Sequence, residues 1–144
     1  KKLNKTTYTP LCNARGGVEA DLTVTKLADD AYYFVAGGST CSKDLLWLNT
    51  HARQFDDDDD QLRIADVSSE YAVLSVQGPA SRRIVAGLVD DASPARPKLG
   101  PADAVPETKI MPFSTALQDV TVAGVPGVTV LRLTFVGELG FELH

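Results

Sequence analysis

The chain has 144 residues, of which 44% are apolar and 23% charged, a composition typical of a single globular domain. Its net charge of −5 equals the contribution of the aspartate run 56–60, so the remainder sums to zero and no basic surface for nucleic acid is expected. No apolar run approaches the length of a membrane span, and the charged residues at the start are not followed by the apolar segment of a secretory signal.

Alternating apolar and polar residues dominate the first third of the chain and predict antiparallel strands. In residues 18–24 every second side chain is apolar, so the carboxylates between them lie on the polar face of a half-buried strand. Residues 6–12 form the preceding strand, joined through an Asn- and Gly-rich connection, and residues 31–36 form the following one. Tyr33 and Val35 share one face of that third strand.

Two helices are predicted. The first is capped by Ser39 or Thr40 and continues to about Phe55 along an apolar stripe, and the second begins at Gly78-Pro79 and ends near Val89. The other expected elements are strands at 62–66 and 71–77, a Pro-rich connector at 90–106, a hairpin with strands at 120–123 and 128–136 around a turn at 124–127, and a last strand at 141–144. Because the chain stops inside that strand, we expect it to be a piece of a larger unit.

Metal and nucleotide motifs are weak or absent in this sequence. The aspartate run suggests calcium, but an EF-hand loop needs glycine and glutamate where Gln61 and Val67 stand, so a solvated loop is favoured. Neither His51 nor His144 has a second ligand at metal spacing, so both are interpreted as structural. Cys12 and Cys41 are interpreted as reduced thiols, with a disulfide as the alternative. No dinucleotide fingerprint or P-loop occurs.

Two segments carry more chemical information. In residues 15–25 a pair of glycines precedes a strand that presents Asp21 on its polar face, where a carboxylate can accept a proton or face a cation. In residues 132–144 two glycines flank a reversal that would place Phe135 and Glu142 on facing strands. An aromatic face beside a carboxylate suits a flat heterocycle with adjacent N–H donors. An ordinary exposed aspartate and a hairpin with one core aromatic remain the alternatives.

Together these segments resemble a known family. Residues 8–24, 74–82 and 135–144 resemble, in order and spacing, three signatures of the folate-binding domain shared by the glycine-cleavage aminomethyltransferase (T-protein) and the dimethylglycine and sarcosine dehydrogenases. The forms of residues 112–115 and 136–140 are most similar to those of mitochondrial sarcosine dehydrogenases. The resemblance implies an α+β fold, with a mainly antiparallel sheet and two packed helices. Residues 1–144 would then be part of that domain, with an FAD domain upstream and the remaining C-terminal part downstream.

The resemblance also implies roles for individual residues. In the family, the aspartate at the position of Asp21 lies beside the folate nitrogens and assists one-carbon transfer. The carboxylate at the position of Glu142 holds the amide and amino edge of the pterin through charge-assisted hydrogen bonds. Phe135 falls where relatives often carry tyrosine, so ring stacking is expected without a hydroxyl contact. The other positions that line the pterin pocket are Tyr8, Tyr33 and Val35.

The activity implied by the resemblance is oxidation of sarcosine to glycine by an FAD-dependent part of the protein, with tetrahydrofolate capturing the one-carbon unit as 5,10-methylenetetrahydrofolate. Expected partners are folate, a small N-methyl amino acid and, through the FAD part, an electron-transfer flavoprotein in the mitochondrial matrix, with no nucleic acid or membrane. The present stretch alone is expected to be inactive. The alternatives are a piece of a dimethylglycine dehydrogenase or T-protein, and a non-catalytic relative such as a regulatory subunit of pyruvate dehydrogenase phosphatase.

Overall fold

The computed structural model describes residues 2–55, 62–90, 92–94, 99 and 111–144. In these ranges the chain forms two antiparallel sheets and two α-helices, which confirms the α+β class and divides the expected sheet in two. The strands are β1 (Thr6–Cys12), β2 (Val18–Lys26), β3 (Tyr32–Ala36), β4 (Leu74–Gln77), β5 (Thr115–Val122), β6 (Val125–Arg132) and β7 (Gly140–Leu143). The helices are α1 (Cys41–Ala52) and α2 (Ser81–Leu88).

The first sheet has the order β1-β2-β3, as its alternating sequence predicts. Ala20, Leu22 and Val24 are buried on one face of β2, and each leaves 9% or less of its surface exposed. After β3 the chain turns through a 3-10 segment, Gly38–Thr40, into α1. The helix ends at Ala52 rather than Phe55, because the last three residues of the predicted stretch tighten into a 3-10 turn, a common way for a helix to end.

The second sheet has the order β4-β7-β6-β5 and carries the main core on one face. Phe141 and Leu143 of β7 point into this core, as does Val130 of β6, and α2 contributes Val85 and Ala86. Burial of these apolar side chains supplies the main driving force that holds α2 against the sheet. The further members of the cluster are Val89, Leu99, Met111, Leu117, Val120 and Val122.

Hydrogen bonds between backbones join the two sheets near the start of the chain. Thr6 donates its N–H to the carbonyl of Ser114 at 3.0 Å, and Ala116 donates to the carbonyl of Asn4 at 2.9 Å. The side-chain amide of Gln118 adds a bond of 3.0 Å to the carbonyl of Leu27. These contacts set β1 beside β5 and fix how the first sheet lies against the second.

Several predicted elements differ from the structure. The strand predicted at 71–77 begins at Leu74, and the strand predicted at 120–123 begins earlier, at Thr115. No strand forms at 62–66, because the Asp66 carboxylate accepts the N–H of Ser68 at 2.9 Å and favours a turn instead. The hairpin turns at Ala123-Gly124, two residues with positive φ as a tight type I′ turn requires, so residues 125–127 belong to β6. The strand predicted to reach residue 136 ends at Arg132.

Some expectations lie outside the described residues, namely the aspartate run 56–60 and most of the connector at 90–106. Cys12 and Cys41 are free thiols. No helix in the described ranges combines the length and apolar character that a membrane crossing requires.

Candidate functional site

The register of the first sheet gathers four of the predicted site residues on one face. Residues directly opposite each other in antiparallel strands point to the same side of a sheet. Across β1, β2 and β3 the opposed residues form three rows, Pro10–Asp21, Tyr8–Thr23–Val35 and Thr6–Thr25–Tyr33. Tyr8, Asp21, Tyr33 and Val35 therefore share a surface, which we call the polar face.

Tyr8 and Asp21 form the exposed end of the polar face. The Tyr8 hydroxyl donates a hydrogen bond of 3.0 Å to Oδ2 of Asp21, between neighbouring rows of the sheet. This bond and the negative charge of Asp21 raise the pKa of the Tyr8 phenol, so the donating form is favoured. The pair thus places a carboxylate at the surface with one of its oxygens oriented by a phenol.

At the opposite end the polar face is closed by buried hydroxyls. Thr6 and Thr25 lie 2.8 Å apart through their Oγ1 atoms and are almost fully buried. Tyr33 is their neighbour in the same row and is half-buried. Exposure to solvent therefore decreases along the polar face, from the Asp21 carboxylate at one end to the Tyr33 ring at the other, over about two two-residue repeats of the strand.

Tyr33 connects the polar face to the second sheet. Its hydroxyl lies 3.1 Å from Nδ1 of His144, and the two rings meet edge to face with their centroids 5.5 Å apart. Nε2 of the same imidazole lies 3.3 Å from Oε2 of Glu142. Glu142 and His144 alternate along β7 with Phe141 and Leu143, so the core residues and the site residues occupy opposite faces of one strand.

Tyr71 completes the aromatic part of the site, with its ring centroid 5.7 Å from that of Tyr33. The pKa of Tyr33 is raised by burial of its phenol first, and then by the negative charges that Tyr71 and Glu142 can carry nearby. The phenol of Tyr33 therefore remains neutral at physiological pH. The result is an aromatic wall beside the Glu142 carboxylate, whose side chain keeps 22% of its surface exposed.

The expectation that Phe135 and Glu142 lie on facing strands is wrong. Phe135 lies in the irregular segment between β6 and β7, where 92% of its surface is exposed. The residues opposite Glu142 in the sheet are Ser75 and Leu131. The physical reason is the early end of β6, which leaves a seven-residue connection at 133–139 in place of a tight reversal.

Close backbone packing holds this connection to the start of β7. Gly140 lies opposite Gln77, and a Cβ atom on Gly140 would overlap the Gln77 side chain and come within 2.5 Å of the Leu133 carbonyl oxygen. The carbonyl of Leu139 accepts bonds from the Gly78 N–H at 2.7 Å and from the Ser81 hydroxyl at 3.0 Å. The beginning of α2 thus determines where β7, and with it Glu142, starts.

Sequence reasoning missed His144 and Tyr71 as parts of the site. His144 was interpreted as structural, although its period-two spacing from Glu142 already placed both side chains on one face of the last strand. Tyr71 carried no comparable signal, because it lies before β4 in an irregular segment, although the sequence predicted a strand that begins there. Within the described ranges no three His, Cys, Asp or Glu side chains cluster as a metal site needs.

Comparison with known proteins identifies relatives of the chain. Residues 1–144 match the model of the GCVT N-terminal domain. An aminomethyltransferase from Staphylococcus carnosus (strain TM300) is 33% identical over 141 residues, which cover 98% of this chain and 33% of that protein. One from Staphylococcus haemolyticus (strain JCSC1435) is 32% identical over 140 residues, covering 97% of this chain and 33% of that protein.

Among solved structures, the chain is similar to the crystal structure of glycine cleavage system aminomethyltransferase T from Bartonella henselae. The TM-score is 0.62 and the sequence identity 25%, and the match covers 99% of this chain and 32% of that one. The α+β arrangement described above therefore corresponds to part of the fold of that protein. The chain spans about a third of the length of the relatives it matches.

Proposed function

The chain belongs to the family of GCVT N-terminal domains, and we propose that its polar face, together with Glu142, binds the pterin of tetrahydrofolate for one-carbon transfer. Because the chain spans about a third of its named relatives, this activity is proposed for a longer protein in which residues 1–144 form part of the folate-binding domain. Both curated relatives named above are aminomethyltransferases, which supports a transferase origin for this stretch.

The observation that carries the proposal is the convergence of residues from distant parts of the chain. The sheet register brings Tyr8, Asp21, Tyr33 and Val35 to one face, and the contact between Tyr33 and His144 brings the Glu142 segment to the same place. These are five of the six positions that the family resemblance assigns to the folate site.

The chemistry of these side chains fits a pterin. A pterin offers two parallel N–H donors along one edge, and a carboxylate can accept both in a charge-assisted pair. Glu142 is partly exposed beside the rings of Tyr33 and Tyr71, so a flat ring can meet apolar surface and acceptor together. When bound, tetrahydrofolate supplies the nitrogens that carry the one-carbon unit. The phenol of Tyr8 orients Asp21, which can take a proton from a nitrogen or stabilise positive charge.

The finer assignment is a proposal that rests on motif forms. We infer a sarcosine dehydrogenase-like flavoenzyme of the mitochondrial matrix, with FAD bound by another part of the protein and electrons passed to an electron-transfer flavoprotein, because residues 112–115 and 136–140 resemble that group. The names of the matched relatives favour the second candidate, an aminomethyltransferase of the glycine cleavage type. The two are separated by the visible absorbance of bound flavin in the purified full-length protein and by turnover of sarcosine, dimethylglycine or an aminomethyl donor.

Binding of tetrahydrofolate to the full-length protein, followed by anaerobic calorimetry, tests the shared part of the proposal. Glu142→Ala is expected to weaken binding at least about tenfold, because it removes a charged acceptor of two hydrogen bonds. Asp21→Asn should retain binding and lower the transfer rate by roughly a hundredfold or more. Asp30→Asn, at an exposed turn, is the matched control. If the wild-type protein shows no saturable binding, the one-carbon function is overturned and the regulatory alternative replaces it.

A further inference from the structure

The side chain of His144 is completely buried, yet both of its ring nitrogens have a polar partner. The side chain has no exposed surface, and it lies between the Tyr33 hydroxyl at 3.1 Å and the Glu142 carboxylate at 3.3 Å. Buried polar groups are expensive unless they are hydrogen-bonded, so a histidine satisfied at both nitrogens is an ordered part of the structure. Nothing in the proposed binding of the pterin to Glu142 accounts for this second contact.

The identities of the partners determine which nitrogen carries a proton. If Tyr33 donates to Nδ1, the neutral ring has its proton on Nε2 and donates it to Glu142. The other neutral tautomer would direct the Nε2 lone pair at a carboxylate oxygen, and two acceptors repel each other. In the charged ring both nitrogens donate, and Tyr33 accepts. In each favourable state, therefore, Nε2–H points at Glu142.

The imidazole is also held from the other sides. The backbone of His144 exchanges two hydrogen bonds with Thr129, each of 3.0 Å. Its ring packs edge to face on Tyr33, whose own ring contacts Tyr71. A donor fixed in this way reduces the number of orientations open to the carboxylate it binds. A ligand that binds the carboxylate then loses less free energy, because the fold has already restricted the orientations of the acceptor.

We propose that His144 is a positioning residue that orients the Glu142 carboxylate for the pterin edge, with Tyr33 setting the orientation of the imidazole. This inference rests on the proposed function of Glu142. It adds His144 as the group that fixes the orientation of the Glu142 carboxylate. The Nε2–H bond engages one carboxylate oxygen and sets the plane of the group. No proton transfer by His144 is required, because its role is to hold a negative acceptor in place.

A double-mutant cycle on the full-length protein, with tetrahydrofolate binding as the readout, tests the proposal. His144→Phe keeps an aromatic ring at this position and removes both bonds, so affinity is expected to fall about tenfold. His144→Gln restores a donor and an acceptor and should recover most of that loss. In the Glu142→Ala background, His144→Phe should cause no further loss, because the group it positions is gone. His51→Phe on α1 is the matched control.

The outcomes separate this inference from the proposed function. If Glu142→Ala weakens binding and folded His144→Phe does not, the positioning role alone is overturned. Equal losses from His144→Phe in the wild-type and Glu142→Ala backgrounds would overturn it as well. If the wild-type protein does not bind tetrahydrofolate, both the proposed function and the positioning role of His144 are overturned.

A second measurement needs no substitution at His144. With isotope-labelled histidine, the Nε2 resonance of His144 should show a bound proton. It should shift on addition of tetrahydrofolate in wild type but not in Glu142→Ala, with His51 unchanged as an internal reference. An Nε2 without a proton in the unliganded protein would overturn the positioning role.

Discussion

The hydroxyl of Tyr33 lies 3.1 Å from Nδ1 of His144, and these two residues, 111 positions apart, join the first sheet to the second at the candidate site. Through this contact β3 and the end of β7 lie side by side, and aromatic rings and the Glu142 carboxylate line the place where they meet. Because each partner belongs to a different sheet, the geometry of the site depends on how the sheets pack. The stability of that packing and the binding of a ligand are therefore linked.

Removal of the Tyr33 hydroxyl should destabilise the protein. Tyr33→Phe leaves the ring in place but deprives the buried His144 Nδ1 of its partner, which costs about 1–2 kcal/mol of the free energy of unfolding. Tyr32→Phe is the matched control, since the neighbouring ring lies on the opposite face and is 48% exposed. Its effect should stay within about 0.5 kcal/mol. Equal losses in urea denaturation of the two variants would contradict the bond.

The raised pKa of Tyr33 predicts a loss of stability at alkaline pH. The phenol ionises more easily in the unfolded chain than in the folded one, so its contribution is fully present below the ordinary pKa and is lost as pH rises through the folded value. Urea midpoints measured across this alkaline range should fall less steeply for Tyr33→Phe than for wild type. Tyr32→Phe should keep the wild-type slope. If the urea midpoints of all three proteins fell equally steeply with pH, Tyr33 would not contribute to the alkaline loss of stability.

The bond between Tyr8 and Asp21 can be detected by titration of the phenol. Asp21→Asn removes the charge and weakens the acceptor, so the raised pKa of Tyr8 should return toward its ordinary value. The pKa is followed by nuclear magnetic resonance of the Tyr8 ring. Asp30→Asn, which removes the same charge from an exposed turn, should leave the titration unchanged. A Tyr8 titration that is the same in Asp21→Asn and wild type would exclude the bond in solution.

Two glycine substitutions of the same kind should have opposite effects. Gly140→Ala adds a methyl group where the Gln77 side chain and the Leu133 carbonyl already lie, so we expect a loss of about 1–3 kcal/mol and displacement of β7. Gly87→Ala, in α2 with nothing within 4 Å of the added atom, should raise the free energy of unfolding by up to about 1 kcal/mol. Thermal unfolding of both variants measures the difference. A neutral Gly140→Ala would mean that β4 and β7 pack less closely than described.

The first sheet shows how much local pattern can determine. Strict alternation in residues 18–24 predicted β2, and the same rule placed Tyr33 and Val35 on one face, as the register confirms. The second helix was also predicted to within three residues of Ser81–Leu88, because Gly78-Pro79 marks the start of a helical turn. Such features depend on side chains within one or two turns of each other, which are neighbours in the sequence.

What the sequence determined by itself is therefore the α+β class, the three strands that carry Tyr8, Asp21, Tyr33 and Val35, and the family. Only the tertiary structure decided that the sheet is two sheets, that Phe135 is exposed on a connection and that His144 lies between Tyr33 and Glu142. The physical reason is the distance along the chain over which the interacting residues are separated. Periodicity records which face of a single element is apolar, whereas the partner of a buried imidazole depends on how distant elements pack against one another.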